Sequence, residues 1–361
     1  MTETKVQQDI VERADDAAAS TKPPLLILDR VRAFLDEHGL GSGPITASRI
    51  GEGGGSNFTF LLERHDGRFV LRRPPRPPLP PSAHDVVREA RLQLALAPLG
   101  IRLPVIRAVC DDESLLGVPF YVMDFLDGHV VTSGLPAGLE DKVARRRLGH
   151  DLVDTLVEIH AADVDNPAVA AFARSGSYLE RQVRRFTQLW EVNQTRELPR
   201  VVEVGAWLAE HLPEPLEPTV VHGDYRLGNM MVARDDPTRI VAVLDWEMGA
   251  IGDPRADVGY LLATYNEPGG DPSPLGTSPV TASPGFPSKQ RLVERYVKRS
   301  GRDVEPLAWF EALALWKAAV FCEAIYGRYV RGELAAEDER AARFEIGVPF
   351  LAEAGAQALG L

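Results

Sequence analysis

The strongest constraint on this chain is the stretch HGDYRLGN at residues 222–229. Within it Asp224 and Asn229 lie five residues apart, and Asp245 follows an apolar run, 239–244, that predicts a strand. Phosphoryl transfer requires a carboxylate that orients a hydroxyl, and an Asn and an Asp whose oxygens hold Mg²⁺. The pattern therefore predicts Asp224 as the catalytic carboxylate and Asn229 and Asp245 as magnesium ligands.

Two neighbours of Asp224 bear on the same chemistry. Arg226 can neutralise charge on the transferred phosphoryl group, so we predict it as a second catalytic residue. His222 has two interpretations: a structural histidine that shapes the loop, or one member of a transition-metal pair with Asp224. The sequence has no second cluster at ligand spacing and no C-x-x-C, which favours the structural interpretation.

A glycine cluster at residues 51–55 separates two predicted strands. This context excludes a dinucleotide-binding fingerprint, and no G-x-x-x-x-G-K-[ST] occurs. A glycine-rich turn between strands lets backbone N–H groups approach phosphate oxygens, although a plain hairpin turn has the same composition. We predict that nucleotide phosphates contact Gly53, Gly54, Gly55, Ser56 and Asn57.

The third predicted strand, 69–72, ends in a cation that suits nucleotide phosphates. Arg72 would bind the α- and β-phosphates and pair with Glu89 on the following helix. Arg73 alternates to the other face of the strand and is the weaker candidate. The alternative is that both are surface arginines on an edge strand.

A predicted helix over residues 178–193 carries a possible substrate surface. Arginine and aromatic side chains together can bind an anionic or nucleotide-like acceptor. The candidates are Arg181, Arg184, Arg185 and Trp190, with Phe186 beside them. A solvated basic face with the tryptophan anchored in the core would give the same pattern.

The order of predicted elements indicates an α+β chain with a loose leader over residues 1–22, a β-rich lobe over 23–125 and a helical lobe over 126–361. Strands are predicted at 58–62, 69–72 and 118–125, with a turn at 65–67 and helices at 25–38 and 84–97. Helices are also predicted at 139–162, 178–193, 199–211, 258–265, 288–300, 305–331 and 335–357. Asp257 is expected as an N-cap, Val143 on a buried face, and 268–288 as a mobile or partly ordered loop.

Composition limits the class of partner. The chain has 361 residues and a net charge of −12, which argues against general binding to nucleic acid or anionic membranes. Residues 1–20 lack an apolar signal region, and Lys317 and Glu323 interrupt the longest apolar run, so we expect a cytoplasmic protein. Cys110 and Cys322 are expected to be buried free thiols.

Together these motifs resemble the aminoglycoside phosphotransferase/choline kinase-like family over roughly residues 30–350, and in particular the branch related to phosphotransferase domains fused to acyl-CoA dehydrogenases. The resemblance rests on the segments 54–59, 70–72, 222–229 and 244–247, which follow in the family's order. It implies a bilobal protein-kinase-like fold and ATP or GTP as donor. It also implies nucleotide contacts at an interlobe hinge, at Met123, Asp124 and Phe125. Arg72 departs from the usual lysine but is common in this branch.

The function expected from these residues is that of a Mg²⁺-dependent small-molecule kinase acting on a hydroxyl. Only about a dozen residues separate Asp245 from the next predicted helix, and no Ala-Pro-Glu follows, which opposes a protein kinase. A polycationic acceptor would need several carboxylates, yet 266–288 offers only Glu267 and Asp271. The remaining alternative is a pseudokinase, a nucleotide-binding regulatory module without turnover.

Overall fold

The computed structural model describes residues 9–18, 22–51, 57–77, 84–333 and 340–361. It divides into two compact units, Met1–Asp127 and Gly128–Leu361. The first unit is built on an antiparallel sheet and the second is mainly helical, which confirms the predicted α+β class. Among the described residues, no helix is both long and apolar enough to span a bilayer.

The first unit begins with two short parallel strands, β1 (Ile10–Val11) and β2 (Leu26–Ile27), with the short helix α1 (Ala14–Ala18) between them. The prediction of a loose leader does not hold at Ile10 and Val11, because both pair with β2. The helix predicted from residue 25 begins later, as α2 (Leu28–Glu37), since the two residues before it belong to β2.

Five antiparallel strands form the main sheet, in the order β3-β4-β5-β7-β6. They are β3 (Thr46–Ile50), β4 (Phe58–Arg64), β5 (Gly67–Arg73), β6 (Ile106–Cys110) and β7 (Phe120–Asp124), and the helix α3 (Val86–Leu96) lies between β5 and β6 in sequence. A two-residue turn joins β4 to β5 where it was predicted, at residues 65–66. Strand β5 is central, which excludes the interpretation of Arg72 and Arg73 as edge-strand surface arginines.

The second unit contains eight described helices and two small sheets. Its elements are β8 (Gly128–Val130), α4 (Lys142–His160), α5 (Pro167–Ala170), α6 (Tyr178–Asn193), α7 (Pro199–Glu210), β9 (Thr219–Val221), β10 (Met230–Ala233), β11 (Ile240–Val243), β12 (Ala250–Gly252), α8 (Arg255–Thr264), α9 (Lys289–Ser300), α10 (Leu307–Val330) and α11 (Arg340–Leu359). The sheets have the orders β11-β10-β8 and β12-β9. They carry the loops in which the predicted catalytic residues lie.

Three details of the second unit differ from prediction. Val143 is 53% exposed, because it lies in the first turn of α4 on the side away from the core. Asp257 is inside α8 and does not cap it. Of the two cysteines, Cys110 is buried and free as expected, whereas Cys322 is free but only partly buried.

The segment 268–288 is packed, which corrects the prediction of a mobile or partly ordered loop. Buried Asn266 organises it: its side-chain amide donates to the Ser278 carbonyl (2.9 Å) and accepts from the Ser273 backbone N–H (2.7 Å). A 3₁₀ turn at Pro279–Ala282 buries Thr281, whose hydroxyl accepts from the Asn266 N–H at 2.8 Å. Side-chain hydrogen bonds thus satisfy backbone groups that a regular ladder would otherwise satisfy.

Helices α8 and α10 approach each other closely at Gly259. A Cβ placed there would lie 2.5 Å from Phe310 Cβ and 2.6 Å from its backbone carbon. Only glycine permits this separation, because backbone atoms cannot move aside as a flexible side chain can.

We expect Gly259→Ala to lower the free energy of unfolding of the second unit by about 1–3 kcal/mol, the usual cost of overpacking. Gly347→Ala is the matched control, since a Cβ at that helical glycine meets no atom within 4 Å. It should be neutral or stabilising by up to about 1 kcal/mol. All five tryptophans lie beyond residue 189, so denaturation followed by tryptophan fluorescence reports on this unit. Equal stability of the two variants would contradict the prediction.

Candidate active site

His222 shapes the loop between β9 and the 3₁₀ turn at Leu227–Asn229. Its ring is fully buried, Nε2 donates to the Leu244 carbonyl at 2.9 Å, and Nδ1 accepts from the Asp224 backbone N–H at 3.2 Å. Both ring nitrogens are therefore occupied, which excludes the transition-metal interpretation. No group of three or more metal-ligating His, Cys, Asp or Glu side chains occurs among the described residues.

Asp257 anchors this loop to α8. Its fully buried carboxylate accepts the backbone N–H groups of His222 and Gly223, both at 2.7 Å, and a hydrogen bond from His160 Nε2 at 3.2 Å. Burial by itself would raise the pKa of Asp257, but the hydrogen bond from His160 and the neighbouring histidines outweigh it and lower the pKa. The sequence signal for this role is a carboxylate on an otherwise buried helix face, which must have partners.

The two oxygens of Asp224 have different surroundings. Oδ2 accepts from Asn229 Nδ2 at 2.8 Å, whereas Oδ1 is buried and accepts no hydrogen bond of normal geometry, although the Tyr260 hydroxyl lies near this carboxylate. Arg226 Nε lies 3.3 Å from Oδ1, and each side chain is 23% exposed. One oxygen is thus fixed, and the other keeps its lone pairs available to a hydroxyl donor.

Arg226 occupies space that a side chain at Gly228 would fill. A Cβ at Gly228 would lie 2.1 Å from Arg226 Nη1 and 3.6 Å from the Thr277 carbonyl oxygen. The glycine therefore lets the guanidinium lie against the loop that carries Asp224. The same contact brings the 268–288 segment next to the predicted catalytic residues.

Asn229 and Asp245 are held side by side. The Leu244 N–H donates to the Asn229 carbonyl at 2.9 Å, continuing the pairing of β10 with β11. The Asn229 amide nitrogen donates to the Asp224 carbonyl and carboxylate, both at 2.8 Å, which leaves the amide oxygen as the group that can face a cation. Asp245 has φ 67° and ψ 61°, a left-handed conformation that is uncommon outside glycine but that Asp and Asn adopt more readily than other residues. The oxygen donors of Asn229 and Asp245 fit a hard cation such as Mg²⁺.

In the first unit, the predicted pair of Arg72 and Glu89 is confirmed. Arg72 Nε lies 3.1 Å from Glu89 Oε2, and the Glu89 side chain is 1% exposed. The Tyr121 hydroxyl donates to the other carboxylate oxygen at 3.2 Å. Burial and the charge of Glu89 hold the pKa of Tyr121 well above its ordinary value, so the phenol remains a donor.

Arg73 has a structural role. Its buried guanidinium donates to the backbone carbonyls of Leu25, Pro74 and Leu116. Burial, with the nearby charge of Arg76, lowers the pKa of Arg73 to about 10. The sheet therefore uses Arg73 to hold surrounding loops, and Arg72 remains the candidate for phosphate.

The other predicted nucleotide contacts are only partly described. Gly53, Gly54, Gly55 and Ser56 lie outside the described residues, whereas the side chain of Asn57 lies 3.1 Å from His84 Nδ1.

At the predicted hinge, Met123 pairs with Val70, and the Asp124 carboxylate is bound by Arg107 at 2.6 and 2.7 Å. The ring of Phe125 lies beneath Arg68. Contact of these residues with a nucleotide stays a prediction.

The proposed substrate surface on α6 is smaller than predicted. Trp190 and Phe186 are buried in the core, because α6 turns both toward α7 and α10. Arg181 donates to the Ser175 carbonyl at 2.8 Å and so closes the preceding turn. Arg184 and Arg185 are exposed and remain candidates.

Tyr260 on α8 was not predicted and faces the catalytic loop. Burial, followed by the charge of the Asp224 carboxylate and a hydrogen bond to it, raises the pKa of Tyr260 well above its ordinary value. Its hydroxyl therefore remains protonated beside the carboxylate. Sequence inspection places Tyr260 within an apolar helix, where a tyrosine is indistinguishable from an ordinary core residue.

Comparison with known proteins shows sequence similarity over most of the chain. The family model for the phosphotransferase enzyme family (APH) matches residues 46–310. Acyl-CoA dehydrogenase family member 10 of Mus musculus is 30% identical over 305 residues, which cover 84% of this chain and 28% of that protein. Family member 11 of Homo sapiens is 30% identical over 315 residues, which cover 85% and 40%. The chain thus spans less than half the length of these curated relatives.

Solved structures agree. The crystal structure of a Ralstonia eutropha protein assigned as an aminoglycoside phosphotransferase matches with a TM-score of 0.72 and 26% identity, covering 91% of this chain and 98% of that one. Choline kinase from Cryptosporidium parvum shares the fold, with a TM-score of 0.62 and 13% identity over 92% of this chain and 95% of its own. The chain has this kinase-like fold and belongs to the phosphotransferase enzyme family.

Proposed function

We propose that the chain is a Mg²⁺-dependent small-molecule kinase, which transfers the γ-phosphoryl group of ATP or GTP to an acceptor hydroxyl. The observation that carries this proposal is the asymmetry of Asp224, with Oδ2 held by Asn229 and Oδ1 left beside Arg226 without a hydrogen bond of normal geometry. The hydroxyl group of a substrate can donate the missing hydrogen bond to that oxygen. Structural neighbours solved with GDP or with ADP support a nucleotide donor.

The transfer would proceed in line. The acceptor hydroxyl donates its hydrogen bond to Asp224 Oδ1, its oxygen forms the new bond to phosphorus, and the bond from phosphorus to the leaving diphosphate breaks. The hydroxyl proton passes to Asp224, while Arg226 offsets charge on the phosphoryl oxygens. Asn229 and Asp245 would hold Mg²⁺, which neutralises charge on the nucleotide phosphates when bound.

For the acceptor we propose a small molecule that is not strongly cationic, bound by the second unit between α6 and the 268–288 segment. Thr277 in that segment approaches Gly228 and hence Arg226. Two exposed arginines, Arg184 and Arg185, lie on α6.

Screening purified protein for ADP or GDP release against alcohols, with aminoglycosides included, tests the proposal. Nucleotide binding without transfer to any alcohol would instead favour the pseudokinase.

Asp224→Asn should lower kcat by about 10²–10⁴ and leave nucleotide affinity nearly unchanged, because it removes the proton acceptor but keeps the side-chain shape. Asp235→Asn is the control, since that carboxylate is 86% exposed. Steady-state kinetics and calorimetry measure the two quantities. Turnover within a few-fold of wild type would remove Asp224 from the mechanism.

Asp245→Asn should abolish the Mg²⁺ dependence of nucleotide binding, because the metal loses its anionic protein ligand. Asparagine is preferred to alanine here, since it tolerates the left-handed backbone of this position. Calorimetric titration with and without Mg²⁺ is the measurement, and unchanged thermal stability is the control. A Mg²⁺ dependence equal to that of wild type would place the metal elsewhere.

Gly228→Ala should lower kcat as much as Arg226→Met does, because the new methyl group displaces the guanidinium. The double variant should then be no slower than either single variant, which is the signature of one shared interaction. Additive losses would show that the two positions act independently and would contradict the placement of Arg226.

A further inference from the structure

The side chain of Lys317 places a positive charge within an otherwise apolar part of α10. Its Nζ donates to Gln182 Oε1 on α6 at 3.0 Å and lies 4.8 Å from the ring centre of Phe186. The flanking residues Trp316, Ala319 and Val320 are buried in the core, whereas Lys317 itself is partly exposed. The fold thus holds this cation at the edge of the core.

The charges around Lys317 belong to the candidate active site. Burial, followed by the charge of Arg185, lowers the pKa of Lys317 to about 8, while the charges of Asp257 and Asp224 act in the opposite direction. The packing agrees with this placement, since Ala318, the next residue of α10, packs against the same apolar cluster as Tyr260, which faces the catalytic loop. At neutral pH the ammonium remains largely protonated.

The fold supplies no close counter-charge. Among the described residues, no carboxylate forms an ion pair with Lys317, and the bond to Gln182 is to a neutral amide. Both Asp257 oxygens already accept hydrogen bonds from the loop and from His160. An ammonium has three N–H donors, and even a partly buried cation without a counter-ion is unfavourable. A structural lysine would be expected to pair with a carboxylate.

We propose that Lys317 is a specificity-determining residue that binds an anionic group of the acceptor, with the acceptor hydroxyl directed at Asp224. This inference rests on the proposed kinase function and extends it by naming the acceptor as an alcohol that carries a negative charge. Arg185 on α6 adds a second positive charge to the same place. Gln182 fixes the direction of the ammonium, and the Phe186 ring stabilises the cation.

The test compares two acceptor series of equal chain length, ω-hydroxycarboxylates and α,ω-diols of three to eight carbons, with the full chain, Mg²⁺ and ATP or GTP. Wild type should prefer the carboxylates by about 10-fold or more in kcat/KM, the usual worth of a charge-assisted hydrogen bond. Lys317→Met should remove the preference by raising KM for the carboxylates only. Lys317→Arg should retain part of it, and Lys298→Met, which removes an exposed lysine of α9, should retain all of it.

A second arm needs no turnover. Saturation-transfer NMR with the unreactive carboxylate hexanoate should show binding to wild type and Lys298→Met but not to Lys317→Met. Equal loss of turnover with diols and carboxylates in Lys317→Met, or an unchanged preference, would overturn the proposal. If no alcohol is phosphorylated, the proposed kinase function is wrong. The hexanoate binding measurement then tests by itself whether Lys317 binds an anion. Absence of hexanoate binding to wild type would then count against it.

Discussion

The buried carboxylate of Asp257 is the interaction on which the candidate active site depends. It binds two consecutive backbone N–H groups, those of His222 and Gly223, and thereby sets the path of the chain into Asp224. His160 donates to the same carboxylate, and the Tyr296 hydroxyl lies 2.7 Å from the other ring nitrogen of His160. Three donors are what a fully buried carboxylate needs to remain charged. A single side chain of α8 therefore connects α4, α9 and the catalytic loop.

The loop residues that carry chemistry also depend on unusual backbone geometry. Asp245 is held at φ 67°, a conformation that costs about 1–3 kcal/mol and persists only where surrounding contacts impose it. Buried Trp246 contributes, since its ring nitrogen donates to the Val243 carbonyl at 3.0 Å. At Gly223 a positive φ of 83° and a close approach to Met248 exclude any Cβ. At both positions the backbone keeps a locally unfavourable conformation, and this conformation places the polar atoms of the loop.

Several site features followed from the sequence because they depend on local order. The pairing of Arg72 with Glu89 could be predicted from a strand followed by a helix, and it is present at 3.1 Å. The five-residue spacing of Asp224 and Asn229 was enough to predict that their side chains lie together, as they do. The burial of Trp190 in the core was not predicted, because amphipathic periodicity marks a buried face without saying whether a cleft or a helix covers it. The prediction of a mobile or partly ordered loop at 268–288 was wrong, because composition does not reveal that the buried side chain of Asn266 replaces regular backbone pairing.

The sequence by itself determined the α+β class, the family and the residue types available for phosphoryl transfer, since these follow from periodicity and short-range spacing. Tertiary structure alone decided the partners of buried polar groups. Asp257 could be recognised as an anchor, and Tyr260 and Lys317 as neighbours of Asp224, only once helices distant in sequence were packed together. The reason is physical: a hydrogen bond or a charge acts over a few ångströms of space, and residues 35 or 97 positions apart acquire that proximity only through the folded core.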